Sequence, residues 1–489
     1  MATGLNSEKY LISTLLRMTG FLYFTFALAG CGGSGSSSNT TSAANTAVTL
    51  LATSTANDKV SAIPISMSSL TLTSESGTTV TLFSTEEGEE FIHVNGPMEP
   101  LLTASIPAGT YTQAALTVSG GDALCAGTSS LPATLVANVF AEIEGPPPVM
   151  VNLPQPIVIS GSSAVLTLNL QVSQSLQPFS LCSAGITNQI HGLTPAFTLT
   201  SAGAMQSGVT ALQGLKGIIQ SANGSGFQVA GNQLPTIGEP GPAWQVSTSN
   251  STVFQGVSGP TALAAGMAVE LDASISSNGA LDATRVAVYD TSTTNTALAL
   301  GPVLDPQSTV MISPAIETEV APVIPEFATY AYSGGTMFNI SSQLANVAQL
   351  PFHATFSAAN LVGGQNVMAI AHLSSLAPGP RYTPVSTMVL IPQTVDGVVT
   401  AMGTEGAFTT YTITLAPYDL FPNLATLAGS GSSALQAPNT IVVYADGSAQ
   451  MQTSAAVGVG STYRFNGLVF NDNGTLRMDC DAVYDGVAQ

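Results

Sequence analysis

Past its first thirty residues the chain is built from short stretches of alternating apolar and polar positions, separated by Gly, Asn, Ser and Pro. SLTLTS (69–74), AVLTLNLQV (164–172), MAVELDA (267–273) and YTITLAP (411–417) are examples. Period-two alternation between turn residues marks half-buried β-strands, and helical periodicity is scarce. In AVLTLNLQV, Ala164, Leu166, Leu168, Leu170 and Val172 fall on one side; Val165, Thr167, Asn169 and Gln171 fall on the other. That predicts an antiparallel strand with one face on a core and one in water. The chain is therefore expected to be all-β, with a first folded unit over 47–204 and modules over 205–300, 301–393 and 394–489.

The modules are inferred from a repeat. Leu263 to Leu271, Leu361 to Ala369 and Val457 to Phe465 all read aliphatic-x-x-Gly-x-x-large-x, with glycines at Gly266, Gly364 and Gly460. A turn follows each, at Asn278-Gly279, Pro378-Gly379 and Asn473-Gly474, and then a closing strand, LDATRVAVYD, VSTMVLIP or LRMDCDAVYD. Asn-Gly between alternating runs is a strong hairpin signal. The three glycines are expected to take positive φ at a turn before the long strand. Two copies also open alike, with GLKGIIQSANGSGFQVAG (214–231) and TVDGVVTAMGTEGAFTTYTITL (394–415). The middle copy shows no clean opening strand unless it hides in 328–340. Agreement across three copies predicts a module array, a rod of β units.

Two family resemblances bear on these segments. In the first unit, Ile106-Pro107-Ala108-Gly109 reads as a turn, and Tyr111, Gln113, Ala115 and Thr117 share a face opposite Leu116 and Val118. This IPAGTYTQ element and the later PIVISGSSAVLTLNLQVSQS are similar to an uncharacterised bacterial lipoprotein domain, domain of unknown function four-three-eight-two. The chain departs from that family's charged opening near Asp58. The resemblance implies a transthyretin- or immunoglobulin-like β-sandwich and brings no catalytic residues. The repeats resemble domain of unknown function five-six-six-six, which implies small barrels like the oligonucleotide/oligosaccharide-binding (OB) type.

Composition narrows the setting. Eight Lys+Arg against 28 Asp+Glu give a net charge of −20, which argues against binding nucleic acid by phosphate neutralisation. Charged residues are only 7% of the chain, well below the usual ~25%. At the N-terminus, Lys9 and Arg17 precede the apolar run FLYFTFALAG (21–30), the order of an export signal over 1–30. The run ends in Leu28-Ala29-Gly30-Cys31, which resembles the lipobox of bacterial lipoproteins. That resemblance implies cleavage before Cys31 and a diacylglycerol on its thiol. GGSGSSSNTTSAANT (32–46) then reads as a flexible linker, the linker as a whole taken as 31–46. The acidic chain is repelled by anionic headgroups, so the lipid on Cys31 is expected to hold the membrane. Gly32 is not the aspartate of inner-membrane retention, which points to the outer membrane, on its periplasmic face or at the cell surface.

Candidate chemistry is sparse. Cys125 and Cys182 fall in one predicted domain and are expected to pair; Cys480 is left as a buried, inert thiol. No Gly-x-Ser-x-Gly, His-Glu-x-x-His or phosphate-cradling loop occurs. Asp290-Thr291-Ser292 lacks the glycine of an aspartic-protease motif. His93, His191, His353 and His372 are scattered, so no metal site and no cofactor are expected. Glu86-Glu87-Gly88-Glu89-Glu90 reads as a solvated hairpin tip in preference to a calcium loop. Asp479, Asp481 and Asp485 share one strand face, expected to meet solvent. Trp244, Tyr289 and Tyr484 offer either sugar-stacking platforms or shared packing positions. The resulting expectation is a non-catalytic envelope lipoprotein that binds a polysaccharide or a protein. A glycan hydrolase and a small-ligand or cation carrier are the alternatives.

Overall fold

The computed structural model describes residues 45–487, apart from 57–59, 129–134, 145–147, 176–189, 192–193, 202–210, 232, 235–238, 241–242, 277–278, 307–310, 313–315, 320–327, 345–346, 373–380, 418 and 428–433. Leu28, Ala29, Gly30, Cys31 and most of the linker lie outside the described residues. So does Cys182, and so does the side chain of Cys125, so the expected disulfide falls outside them too.

The alternating stretches become strands, and the protein is all-β. The first sheet consists of Asn45–Thr55 (β1), Glu99–Pro107 (β5), Ser163–Gln171 (β10) and Phe197–Ser201 (β12), in the order β12-β10-β1-β5. The second contains Pro64–Ser74 (β2), Thr79–Phe83 (β3), Gly109–Thr128 (β6), Leu135–Glu144 (β7) and Ile190–His191 (β11), in the order β11-β7-β6-β2-β3. Glu87–Glu90 (β4) pairs with β2, while Val149–Val151 (β8) and Ile157–Ile159 (β9) pair with β6. The two sheets share one core, to which β10 gives Leu166, Leu168 and Leu170 and β2 gives Ile65, Met67, Leu70 and Leu72.

Two sequence expectations change here. β10 runs parallel to β1 and antiparallel only to β12. Its outer face does not meet water alone, because Val165 and, on β1, Leu51 pack into the core of the following barrel. That second covered face explains why AVTLLA in β1 is apolar on both sides. The faces of β6 also differ from simple alternation. Tyr111 shares the core with Ala114, Leu116 and Val118. The register slips where Thr73 and Ser74 face Gln113 and Tyr111, and such a bulge reverses the side-chain parity.

The next strands are Ala211–Ala222 (β13), Gly226–Ala230 (β14), Gln233–Leu234 (β15), Glu239–Pro240 (β16), Ala243–Ser247 (β17), Val253–Gln255 (β18), Ala268–Ile275 (β19) and Leu281–Asp290 (β20). Five of them close a ring, β13-β14-β17-β20-β19, in which only β17 and β20 run parallel. At the C-terminal end Gln393–Glu405 (β28), Phe408–Thr414 (β29), Thr440–Gln452 (β30), Thr462–Asp472 (β31) and Thr475–Asp485 (β32) close the same ring, β28-β29-β30-β32-β31, with β30 and β32 parallel. This is the five-stranded Greek-key barrel of the OB type, with the third strand against the fifth.

The middle copy has Thr296–Asp305 (β21), Met311–Ile312 (β22), Ile316–Glu319 (β23), Ala328–Ala331 (β24), Met337–Ile340 (β25), Asn366–His372 (β26) and Arg381–Leu390 (β27). Here β21 pairs with β23 and β26, β26 with β27, and β27 runs parallel to β24 and β25. The order repeats that of the closed barrels; among the described residues the ring stays open between β23 and β24. The opening strand is β21, upstream of the 328–340 segment that the sequence offered. Nine of its ten residues are buried, so it carries no alternation to read.

The repeat glycines do one job three times. Gly266, Gly364 and Gly460 have φ of 92°, 100° and 88°. Each donates its N–H to an opening-strand carbonyl, of Ile219, Val303 and Val399, at 2.8 Å in all three copies. The same three strand residues return an N–H to Met267, Gln365 and Ser461. Asn473 and Gly474 both have positive φ, as a tight hairpin turn requires.

The expected rod is not seen. Residues Ala44–Gln489 form one compact unit in which the barrels fold back on the sandwich. Trp244 Nε1 donates to Pro100 O at 2.8 Å, and Arg464 of β31 donates to Asn95 Oδ1 at 2.6 Å. Gln365 Nε2 donates to Val469 O at 2.9 Å, joining the middle and last copies. No helix among the described residues is long and apolar enough to cross a membrane.

Candidate functional site

Part of the charge-poor chain's buried charge lies where sandwich and barrels meet. β4 and the turn after it bring Glu89, Glu90 and His93 together, and the start of β5 adds Glu99. Glu89 and Glu90 are fully buried, which overturns the solvated hairpin tip. β4 pairs with β2 while β15 and β16 lie against it, so Gly88, Glu89 and Glu90 are covered, and of the run EEGEE only Glu86 is exposed.

Glu90 is held by backbone donors. Its Oε1 accepts from Ile63 N (2.6 Å) and Ile92 N (2.9 Å), and its Oε2 from His93 N (2.8 Å). The same Oε2 faces His93 Nδ1 at 3.2 Å. On the other side of the ring, His93 Nε2 lies 3.0 Å from Glu99 Oε2 and 3.8 Å from Glu89 Oε1. Glu89 Oε1 also accepts Glu90 N at 2.9 Å, while its Oε2 is buried without a hydrogen-bond partner. Burial, then the Glu99 charge, push the Glu89 carboxyl well above the usual range, against the pull of His93. Burial alone would lower His93; the Glu99 charge, the hydrogen bonds to Glu90 and Glu99, and the Glu89 charge raise it well above its ordinary value. Beside this cluster is a cavity of about 60 Å³, lined by groups from the sandwich and all three copies, among them Glu90, His93, Glu99, Lys216, Gln343 and Asn466. That is room for about two waters, far below the ~300–1,000 Å³ of small-molecule sites.

A second charged group adjoins it. Arg285 of β20 donates to Glu270 Oε1 (2.7 Å), to Asp272 Oδ2 (2.6 Å) and Oδ1 (2.9 Å), and to Ser342 Oγ (2.6 Å). Glu270 is fully buried and also accepts Ser341 Oγ at 2.8 Å. Burial would lower Arg285, but Asp272 and Glu270 raise it. Lys216 is lowered by burial despite the nearby Glu270 and Asp272.

The remaining candidates have structural partners. Trp244 is 4% exposed at the sandwich. The Tyr289 hydroxyl accepts Ser342 N at 2.9 Å, and the Tyr484 ring lies under Arg464 and against Gly96. The aromatic side chains whose burial is described are buried or half-buried, with Tyr289 and Tyr484 half-buried. Asp479 is 7% exposed, which overturns the solvent-facing reading for that residue. Burial, then the Asp446 and Asp481 charges, push its carboxyl up to about 7; burial, then the Asp272 and Asp446 charges, push Asp481 up to about 6. Asp485 is exposed. Cys480 is a free, buried thiol, and burial raises it strongly.

Asp290 gathers His372 Nε2 and Ser386 Oγ, both at 2.8 Å from its Oδ2. Serine, histidine and aspartate thus meet, but the hydroxyl donates to the carboxylate, so the imidazole is not placed to take its proton. The sequence reading placed Glu89 in an acidic run and His93 among scattered histidines and did not single out Glu99, so the cluster was missed. Their signal was local density, with three glutamates and a histidine within 89–99 of a chain that has four histidines in all.

Comparison with known families reaches one part of this architecture. Residues 216–287 match the model of Domain of unknown function (DUF5666). The matched segment starts at Lys216 in β13 and ends in β20, so it covers the strands of the first closed barrel and holds Glu270, Asp272 and Arg285. This is the resemblance read from the repeats, located on the first copy. No curated protein matches the chain.

Proposed function

We propose that this protein is a lipid-anchored component of the bacterial cell envelope, held at the outer membrane through Cys31, with a non-catalytic binding or structural role. The observation that carries this reading is the sequence Leu28-Ala29-Gly30-Cys31 after an apolar run, followed by a Gly/Ser/Thr linker whose last two residues, Asn45 and Thr46, already belong to β1. The sandwich is read as the fold of domain of unknown function four-three-eight-two, a lipoprotein domain, which agrees with the lipobox. Interlocked barrels whose aromatic side chains are spent on packing favour a rigid body that meets a protein partner over one that stacks on sugars. A glycan hydrolase needs two carboxylates flanking a bound sugar, and the cavity beside the Glu90, His93 and Glu99 cluster is too small to admit one.

The test is fractionation of cells carrying the wild type or Cys31→Ala, with protease added to intact cells. Retention of the wild type in the outer membrane and release of the variant is the expected result. Equal membrane association of the two removes the anchor. Clipping on intact cells places the partner outside the cell; protection until the outer membrane is broken places it in the periplasm.

A further inference from the structure

We propose that Glu89, His93 and Glu99 bind one divalent first-row transition metal ion, of which Zn²⁺ is the probe. The three donor atoms, one imidazole nitrogen and two carboxylate oxygens, lie within 4.8 Å of one another. Two ligands on a common tetrahedral Zn²⁺, with bonds of about 2.0–2.2 Å, sit roughly 3.3 Å apart. The separations from His93 Nε2, 3.0 Å to Glu99 and 3.8 Å to Glu89, bracket that value.

Two further observations point to a cation. The first is the orientation of His93. Glu90 Oε2 lies 3.2 Å from Nδ1, and three backbone N–H groups fix that carboxylate in place. A carboxylate on one ring nitrogen keeps the proton there and turns the lone pair of the other outward, the arrangement that supports metal-bound histidines. Here the other nitrogen faces Glu89 and Glu99. The second is Glu89, fully buried, with an Oε2 that no donor reaches. Glu89 and Glu99 lie close enough to need a shared proton between them, and a cation bound by both would take that proton's place.

Charge and space agree. Lys216 is the one lysine or arginine that lines the adjoining cavity, and it directs its ammonium to Gly214 O. The adjoining cavity of about 60 Å³ has room for the one or two waters that would complete a coordination shell. One nitrogen with two oxygens favours a transition ion over Ca²⁺, which takes six to eight oxygens.

The experiment uses the full-length protein in detergent, stripped with a chelator and titrated with Zn²⁺ against a chromophoric competitor. One Zn²⁺ per chain is expected, with His93→Gln, Glu89→Gln and Glu99→Gln each weakening binding at least about tenfold. His372→Gln, at the separate Asp290 pair, should leave binding unchanged, and millimolar Ca²⁺ should not displace the Zn²⁺. Co²⁺ bound to the wild type should show the strong visible absorption of a four- or five-coordinate site, a readout that needs no variant to fold. No Zn²⁺ retained against the competitor, binding that survives all three substitutions, or equal displacement by Ca²⁺ would overturn the proposal.

Discussion

Replacing each repeat glycine by alanine tests the threefold module directly, because the three sites share a backbone job and differ in what surrounds them. A non-glycine residue in the left-handed region costs roughly 1–2 kcal/mol. At Gly460 a new Cβ would meet nothing within 4 Å, so Gly460→Ala should cost about 1 kcal/mol from the backbone alone. At Gly266 the Cβ would lie 2.4 Å from Thr293 O, a backbone atom of an exposed loop that has to shift, so about 2 kcal/mol is expected. At Gly364 it would lie 2.6 Å from the Phe421 ring, which is fully buried in the core of the last barrel. Overpacking of that kind adds ~1–3 kcal/mol, so Gly364→Ala should cost about 3 kcal/mol or more. Urea unfolding followed by far-UV circular dichroism gives the order, with Trp244 fluorescence reporting on the first barrel. Equal costs at all three sites, or the largest at Gly460, would refute the shared turn and its contact with Phe421.

Three further outcomes follow from the buried charges and the interfaces. Asp479 holds its proton up to about pH 7 when folded but only to ~3.9 when unfolded, so its contribution is full below ~4 and is lost as pH rises to about 7. Asp479→Asn should therefore match the wild type at pH 4 and exceed it at pH 8, by ~4 kcal/mol at most; parallel stability profiles would contradict this. Arg285→Met should cost about 3–5 kcal/mol in urea unfolding, since it strands Glu270 and Asp272, and adding Glu270→Gln should recover part of the loss. Trp244→Phe should cost about 1 kcal/mol for the lost bond to Pro100 and should lower the midpoint for the first barrel, measured by circular dichroism.

Much of the fold can be read along the chain, and the exceptions have physical causes. Leu166, Leu168 and Leu170 point into the sandwich as their alternation implies, and the glycine turns take the positive φ that their spacing asks for. Alternation fails where both faces are covered. β21 is buried almost throughout, so it looks like no strand, yet Gly301 and Val303 in it match the Gly-x-aliphatic of Gly217 and Ile219 and of Gly397 and Val399. It fails again at Tyr111, where one extra residue in β6 exchanges the faces. The Glu89, His93 and Glu99 cluster was hidden for a different reason. Charge normally signals solvent, and EEGEE reads as a tip until pairing with β2 places Glu89 and Glu90 inside. Contacts such as Trp244 with Pro100 join residues 144 positions apart, and no local pattern encodes them.

The most direct test of the membrane-anchored reading is the intact mass of the protein extracted from membranes, with its N-terminal peptide sequenced by mass spectrometry. A chain that begins at Cys31 and carries a diacylglycerol on that thiol is the predicted result. A chain that still carries 1–30, or one that begins elsewhere with an unmodified Cys31, would contradict it.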